Sequence, residues 1–303
     1  MKNPYQPIKD NPRQCKRLFG LEYEVLCTLI DIAVATRTTT MAQAEQDKIR
    51  INAPGGGCPC KLSEAEAVSL CLFYLRQHPT FDVLGLLYGV CESTAHSLYH
   101  RWVGELRQPL PCSWLEEVSE DAEALLQLQQ ILVDHERLVD STEQARERPK
   151  DNEEQKACYS GQKKQHTFKN QIVSLSTGDD IVDVLVGAEG PRSDQSLLRE
   201  QQRPFDERQA FMGDKGYQGV EHTRTPMKKP PKRELTSEQK DANRELAQDR
   251  IFIEHLIRVV KIWRIAQERF RLQSQHYITA IKVVCGLVRL RLERFRLPSF
   301  KRS

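Results

Sequence analysis

The stretch FMGDKGYQG, residues 211–219, has the pattern of a buried strand that ends in a tight turn. Phe211 and Met212 are apolar, Gly213 follows them, and Asp214 stands where the chain turns. A carboxylate beside an apolar core is costly to hold charged, so it requires a partner of opposite charge. The pattern therefore predicts an acid that binds a cation, although a lone aspartate at the end of a strand also serves as a turn former or a helix cap.

A second acid occupies a similar place in RLVDSTEQ, residues 137–144, where we expect Asp140 at the end of an apolar strand. Two carboxylates on adjacent strands repel each other unless a cation lies between them. Hard oxygen ligands, without thiols or imidazoles nearby, favour Mg²⁺ or Mn²⁺ over zinc.

A third acid, Glu254, lies in a long helical pattern that runs from residue 237 to about residue 264. Because helical residues three and four apart share a face, Glu254 lies on one stripe with Arg250, Arg258 and Lys261. The apolar neighbours of this stripe, among them Ile251 and Phe252, are expected to pack the helix on a sheet. The alternative is a salt-bridged stripe on a solvent-exposed surface.

The second half of the chain alternates strand and helix patterns. FKNQIVSLST and DDIVDVLVG are continuous apolar runs typical of strands, and the turn STGDD joins them as a hairpin. SDQSLLREQQ is predicted to be a helix, and a final amphipathic helix is predicted over residues 277–296. These elements indicate a mixed α/β domain that begins near residue 133.

The first half is predicted to be helical. An amphipathic helix is expected within residues 18–50, and NAPGGGCPCK, residues 52–61, has the composition of a linker. Ser63 and Glu66 fit a capping box, so a helix is expected to begin there. Thr80 or Asp82 caps a short helix over residues 83–88.

Gly89 supplies a turn, and a further helix over residues 93–106 completes a helix-turn-helix pattern. The second helix is expected to present short polar and basic side chains to DNA: Ser93, Thr94, His96, Ser97, His100 and Arg101. An ordinary helical hairpin is the alternative.

The charge of the 303-residue chain is unevenly distributed although its net value is only +3. Residues 116–154 contain 13 acidic and 4 basic residues, whereas residues 250–303 contain 13 basic and 3 acidic ones. The basic segment indicates a polyanionic partner, unless the two segments neutralise each other in the folded protein. The acidic segment begins in a helix, which we interpret as a connector over residues 111–132.

The nine cysteines are mostly scattered singly in apolar runs, which indicates reduced thiols in a cytoplasm. Cys58 and Cys60 lack a second pair at zinc-finger spacing, so we expect no zinc site there. We also expected no apolar run long enough to span a membrane.

Several blocks of the sequence resemble bacterial insertion-sequence transposases of the DDE type, in the branch related to eukaryotic Harbinger elements. The blocks are VDSTEQ, GPRSDQSLL, GDKGYQG, RPKDNEEQKACYSGQKKQHTFKNQ, KKPPKRELTSEQKDANRELAQDRIFIEHLIRVVKIWRIAQERFR and VCGLVRLRL, in the family's order. They cover about residues 133–292, and the helix-turn-helix region is also similar to the family's amino-terminal domain. One position departs from the family pattern, since Ala247 stands where the family has a tyrosine before Arg250, Glu254 and Lys261.

The resemblance implies an RNase H-like catalytic domain over residues 133–303 and a helical DNA-binding domain over residues 1–110. It implies that Asp140, Asp214 and Glu254 form the catalytic, metal-binding triad. Two Mg²⁺ or Mn²⁺ ions, about 3.5–4 Å apart, would serve phosphodiester displacement. The implied partner is double-stranded DNA, both element ends and target, bound by a homo-oligomer.

Further DNA contacts are expected near the triad. Arg250 and Lys261 are candidates for holding phosphates of the cut strand. Residues 159–169 are predicted to form a second DNA-facing stretch that carries Lys163, Lys164, His166 and Lys169, with a solvated hairpin as the alternative. The basic, proline-rich loop over residues 224–233 is expected to be exposed and to clamp DNA.

Asp194 is either a fourth acid near the site or the cap of the helix that follows it. Gly213, Gly216 and Gly219 are expected either to allow close approach to DNA or to form a plain turn.

Two other functions remain open at this stage. The chain could be an inactive or domesticated transposase that keeps sequence-specific DNA binding without cleavage. It could also be an unrelated metal-dependent hydrolase of small substrates, which would require neither a helix-turn-helix nor a basic tail.

Overall fold

A computed structural model describes residues 3–46, 60–231, 234–295 and 297, which form two compact units. The first unit takes in the described residues of Met1–Leu110, Trp263–Ile265 and Phe295–Ser303. The second takes in those of Pro111–Ile262 and Ala266–Arg294. Most of the expected linker, including Cys58, lies outside the described residues.

The first unit is helical. Its helices are α1 (Tyr5–Asp10), α2 (Cys15–Phe19), α3 (Tyr23–Gln46), α4 (Glu64–Gln77), α5 (Phe81–Tyr88) and α6 (Glu92–Arg107). The single helix expected from residue 18 is wrong in its start, because Gly20 ends α2 with a φ of +83° before α3 begins. Residues 47–50 of the stretch in which we expected this helix lie outside the described residues.

Helix α3 also corrects our expectation about apolar runs. Its segment Tyr23–Glu45 has the length and the mean hydropathy, 1.3, of a membrane-spanning helix. A core helix meets the same two criteria, and α3 buries one face in the first unit, at Leu26, Leu29, Ile30, Ile32 and Ala33. Length and composition alone are therefore weak evidence for a span.

The local signals of the helix-turn-helix are present. Ser63 and Glu66 form the predicted capping box at the start of α4. Thr80, rather than Asp82, caps α5, since its hydroxyl accepts a hydrogen bond from the Val83 backbone N–H. Gly89 ends α5 in the left-handed conformation, with a φ of +71°, and α6 follows.

The second unit is built on a six-stranded mixed sheet. Its strands are β1 (Arg137–Ala145), β2 (Tyr159–Ser160), β3 (Gln165–Ser174), β4 (Ile181–Glu189), β5 (Phe211–Met212) and β6 (Thr223–Arg224). β3 pairs antiparallel with β1, β2 and β4, whereas β1–β5 and β5–β6 are parallel pairs. This arrangement places β1 in the interior of the sheet, between β3 and β5.

Helices cover the sheet. They are α7 (Trp114–Glu117), α8 (Ala122–Val133), α9 (Asn152–Cys158), α10 (Asp194–Gln201), α11 (Ser237–Lys261) and α12 (Tyr277–Arg291). Helix α12 ends at Arg291, earlier than the predicted residue 296, which is not among the described residues.

The acidic segment expected as a connector contributes to the core of this unit. Leu115 of α7 and Leu132 of α8 are buried in one hydrophobic cluster with Val139, Phe211 and Tyr217. Their burial joins the segment to the sheet because apolar area removed from water is the main favourable term in packing.

Candidate active site and nucleic-acid interface

Asp140 lies in the middle of β1 and not at its end, which corrects the expectation from the sequence. The apolar run stops at Val139, but the strand continues through six more residues because β3 pairs with it as far as Ala145. The Asp140 side chain is half-buried, and its Oδ1 accepts a hydrogen bond from the Ser141 backbone N–H at 2.8 Å.

Asp214 follows the neighbouring parallel strand, as predicted. Leu138 of β1 is in register with Met212 of β5, so Asp140 and Asp214 each come two residues later on adjacent strands. Asp214 also caps the short 3₁₀ helix Lys215–Tyr217, since its Oδ1 accepts a hydrogen bond from the Gly216 backbone N–H at 2.7 Å. The sequence had offered a charged ligand and a cap as alternatives, and this geometry allows both.

Glu254 lies on α11, which begins with a capping box formed by Thr236 and Gln239. Its side chain is 54% exposed, and its Oε1 lies 3.9 Å from Nη2 of Arg250, whose side chain is only 15% exposed. The helix buries Leu246, Ile253, Leu256, Ile257 and Val260. Ile251 and Phe252 are exposed, so the expectation that they pack on the sheet is wrong.

The three acids share one electrostatic environment. Burial raises the pKa of Asp140 to about 6, with Arg250 and the Ser141 backbone N–H opposing this shift and the charges of Asp214 and Glu254 adding to it. Because like charges raise a carboxyl pKa only when they are near, both acids lie close enough to act on Asp140.

A divalent metal fits this donor set in its chemistry. The carboxylates of Asp140, Asp214 and Glu254 are hard oxygen ligands of the type that Mg²⁺ and Mn²⁺ prefer. Among the described residues, however, no three histidine, cysteine or acidic side chains are already arranged to hold an ion. Of the three acids, Glu254 has a side chain that is 54% exposed, and its Oε1 lies near Arg250.

Two lysines lie beside the acids. Burial lowers the pKa of the half-buried Lys261, while the Asp140 charge raises it and the Lys163 charge lowers it, so Lys261 lies near both. Lys163 and Lys164 are exposed in the turn between β2 and β3. His166 is a half-buried strand histidine that packs edge-on against Tyr159.

Lys169 does not face DNA as expected. Its side chain is only 9% exposed, and its Nζ donates to the Arg192 carbonyl oxygen at 2.7 Å and to Asp194 Oδ1 at 3.3 Å. The β3 strand directs this side chain toward the loop before α10, where two acceptors compensate the buried ammonium.

Asp194 is not the cap of α10. Ser193 is the cap, since its side chain accepts from the Ser196 backbone N–H. Asp194 Oδ1 instead accepts from the Ser141 hydroxyl at 2.6 Å. Sequence reasoning chose the wrong residue because serine and aspartate stand side by side and both are good caps.

The glycines of the 211–219 stretch have packing roles. A Cβ on Gly213 would lie 2.5 Å from Cδ2 of Tyr217, whose buried ring packs beneath it. Gly219 adopts a φ of +90°. These contacts account for Gly213 by side-chain packing and for Gly219 by a turn.

In the first unit, α6 presents the predicted polar face. Ala95, Tyr99 and Trp102 are buried in the unit. The side chains expected to meet DNA are exposed, apart from a half-buried His100: Ser93, Thr94, His96, Ser97 and Arg101. An exposed polar and basic face of this kind is what a recognition helix presents to a DNA groove.

Comparisons with known proteins agree with this arrangement. Residues 139–289 match the model of the DDE superfamily endonuclease, and residues 60–112 match the helix-turn-helix of DDE superfamily endonuclease. A protein of Microchaete diplosiphon, named "Probable transposase for insertion sequence element IS702", is 30% identical over 237 residues, 75% of this chain and 80% of that protein.

A solved structure described as "Crystal structure of a pre-cleavage Mos1 transpososome" is 11% identical, covering 77% of this chain and 86% of that one. Its TM-score is 0.18. The mixed sheet with its flanking helices has the RNase H-like architecture, and a helix-turn-helix precedes it in the chain. The chain belongs to the DDE superfamily endonuclease family.

Proposed function

We propose that this protein is a DNA transposase that cuts an insertion element at its terminal inverted repeats and transfers the freed strand ends to target DNA. One observation carries the proposal: the parallel register of β1 and β5 brings Asp140 and Asp214 to adjacent strands, each two residues after a paired position. The charges of Asp214 and of Glu254, which lies on a helix far along the chain, add to the raised pKa of Asp140. The relative that is 30% identical to this chain is named a probable transposase, which supports the same proposal.

Asp140, Asp214 and Glu254 would hold the divalent ions, Mg²⁺ or Mn²⁺. A pair of such ions, when bound, supplies activation of a water or a 3′-hydroxyl and stabilisation of the leaving oxygen in phosphodiester displacement. With a pKa of about 6, Asp140 is mostly ionised near pH 7 and is available as a ligand. The cost of holding that charge half-buried makes the site favour a cation.

Arg250, Lys261 and Lys163 would hold phosphates of the DNA strand next to the acids. Arg250 and Lys261 are partly buried beside Asp140, which limits their motion, and Lys163 is exposed. Cations of this kind fix the position of a backbone without reading its sequence. Sequence reading belongs to the exposed face of α6, with Ser93, Thr94 and Arg101 as contacts.

Two element ends must be handled together, so we also propose that the protein acts as a homo-oligomer on DNA. Mass photometry of the protein with and without a repeat-bearing duplex measures this directly. A protein that stays monomeric on DNA under conditions of active cleavage would contradict it.

The test of the triad is Mg²⁺-dependent nicking of a duplex that carries the terminal inverted repeats. Asp214→Asn is expected to abolish nicking while leaving repeat binding within about twofold. Glu153→Gln is a matched control because Glu153 is an exposed acid of the same unit that pairs with the exposed Lys156. Nicking that persists in Asp214→Asn would exclude Asp214 from the triad.

A second candidate function is a DNA-binding protein without cleavage activity. The observation that favours it is that, among the described residues, no three histidine, cysteine or acidic side chains are already arranged to hold an ion, while Glu254 is 54% exposed. The same assay separates the two: wild-type protein that binds the repeats but leaves them intact with both Mg²⁺ and Mn²⁺ supports the inactive form.

A further inference from the structure

A partly buried polar network lies beside β1, next to the candidate metal ligands. Ser141, which follows Asp140, donates its hydroxyl hydrogen to Asp194 Oδ1 at 2.6 Å. Lys169 donates to the same oxygen at 3.3 Å and lies 3.9 Å from Glu143 Oε1. Charge-assisted hydrogen bonds inside a protein are stronger and more directional than those at the surface.

The network touches Asp140 through one residue. The backbone N–H of Ser141 donates to Asp140 Oδ1, while the side chain of Ser141 is held by Asp194. Side chains alternate across a strand, so Ser141 and Asp194 brace β1 from the face opposite to the Asp140 side chain. A fixed Ser141 therefore fixes the orientation of the Asp140 carboxylate.

The network also approaches Asp214. A Cβ on Gly216 would lie 2.7 Å from Asp194 Oδ2 and 2.8 Å from Asp214 Oδ1, so the two carboxylates flank the same α-carbon. The Gly216 backbone N–H donates to Asp214 as well. Only glycine leaves the space for both acids to be this close.

The buried Tyr217 ring completes this packing. Tyr217 is fully buried. Burial raises the pKa of Tyr217 well above its ordinary value, and the charges of Asp194 and Asp140 add to this shift. The neutral ring of Tyr217 packs against Gly213 near these carboxylates.

We propose that Asp194 is a positioning residue for the metal site: it orients Asp140 through Ser141 and sets the place of Asp214 across Gly216. The inference rests on the proposed function, since it assumes that Asp140 and Asp214 bind the ions. We place Asp194 in a supporting role and not among the proposed ligands, since its Oδ1 accepts hydrogen bonds from both Ser141 and Lys169. Lys169 holds Asp194 in place through the contact at 3.3 Å.

The test is the affinity of the full-length protein for Mn²⁺ alone, measured without DNA by the electron paramagnetic resonance signal of free Mn²⁺. Partners that orient metal ligands typically contribute about 10–100-fold to affinity. Asp194→Ala and Ser141→Ala are each expected to weaken Mn²⁺ binding by about 10-fold or more. Ser141→Thr keeps the hydroxyl and is expected to restore affinity to within about threefold of wild type, whereas Glu153→Gln is expected to leave it unchanged.

Mn²⁺ affinity separates positioning from a merely structural role. A merely structural role would lower the thermal stability of the variants without lowering the Mn²⁺ affinity of the folded protein. If Asp194→Ala fails to fold, Ser141→Ala removes a single oxygen and decides the question. Wild-type Mn²⁺ affinity in folded Ser141→Ala would overturn the inference.

The failure of the inference can be told from the failure of the proposed function. If Asp214→Asn abolishes Mn²⁺ binding while Asp194→Ala and Ser141→Ala bind like wild type, only the positioning role is excluded. If Asp214→Asn itself binds Mn²⁺ like wild type, the assignment of the metal site is wrong, and the inference is excluded with it.

Discussion

Arg289 of α12 and Asp180, just before β4, form an ion pair in which neither side chain is accessible to solvent. Arg289 Nε donates to Asp180 Oδ1 at 2.8 Å, and Nη2 donates to Oδ2 at 3.2 Å. The same guanidinium reaches the carbonyl oxygens of Pro111 and Ser113 and the carboxylate of Glu117. This pair joins the last helix, the sheet and the 111–117 segment of the second unit.

Arg289→Met is expected to destabilise the protein by about 3–5 kcal/mol, because it leaves Asp180 buried without its partner. The measurement is thermal unfolding of the second unit. Arg294→Met is the matched control, since Arg294 pairs with Asp179 at the surface, and such pairs contribute about 0–1 kcal/mol. If both variants lose the same amount of stability, the buried pair does not stabilise the second unit more than the surface pair does, and the prediction is wrong.

Asp140→Asn is expected to stabilise the metal-free protein at neutral pH. The pKa of Asp140 is about 6 in the folded state, above the roughly 3.9 of an unfolded chain, so the folded state binds more protons between these values. Stability therefore falls as the pH rises from about 4 to 6, and the uncharged asparagine removes this loss. We expect a melting temperature roughly 2–4 °C above wild type at pH 8 and no difference near pH 4.

The control for this prediction is Asp206→Asn, measured in the same chelator-containing buffers. Hydrogen bonds from Arg208 lower the pKa of Asp206, so its substitution is expected to act in the opposite direction at neutral pH. An Asp140→Asn variant that is less stable than wild type at pH 8 would show that the Asp140 charge is compensated within the metal-free protein.

Glu66→Gln is expected to destabilise the first unit in a pH-dependent manner. Burial raises the pKa of Glu66, but hydrogen bonds from Ser63, Gln6 and Asn3 outweigh it and lower the pKa to about 2. The stabilisation is present above the unfolded pKa, about 4.3, and is lost as the pH falls toward 2. We expect a lower melting temperature at pH 7 and a difference that shrinks below about pH 4. Glu64→Gln, in the same helical turn, is the control.

Lys163→Ala and Lys261→Ala are each expected to weaken DNA binding and to reduce the slope of log affinity against log salt by about 1, as the loss of a phosphate contact does. Fluorescence anisotropy at several salt concentrations measures this slope. Lys169→Met is expected to leave the slope unchanged, since Lys169 is buried and paired. Lys156→Ala, exposed and paired with Glu153, serves as the surface control.

Arg101→Ala is expected to weaken binding to the terminal repeats by about 1–3 kcal/mol if Arg101 contacts a base edge. Arg13→Ala, an exposed arginine of the same unit outside α6, is expected to have no such effect. Anisotropy with repeat and scrambled duplexes measures both affinity and discrimination. Equal effects on the two duplexes would assign Arg101 to the backbone, and no effect would exclude α6 as the recognition helix.

The amino-acid sequence alone determined the features that depend on near neighbours. The capping box of Ser63 and Glu66, the turn at Gly89 and the polar face of α6 follow from contacts within a few residues. The main strands were predicted for the same reason, since apolar runs and turn residues are local signals. Residue patterns and family resemblance together singled out Asp140, Asp214 and Glu254 as candidate ligands.

Only the tertiary structure decided which charged residues are buried and with what partners. Lys169 is buried because Asp194, 25 residues away, accepts from it, and Arg289 is buried because Asp180, 109 residues away, pairs with it. Asp140 lies in mid-strand because β3 continues beside β1. The desolvation cost of a buried charge is compensated by groups that only folding brings together. The sequence does not show these partners, so sequence patterns alone predict that such a lysine or arginine lies at the surface.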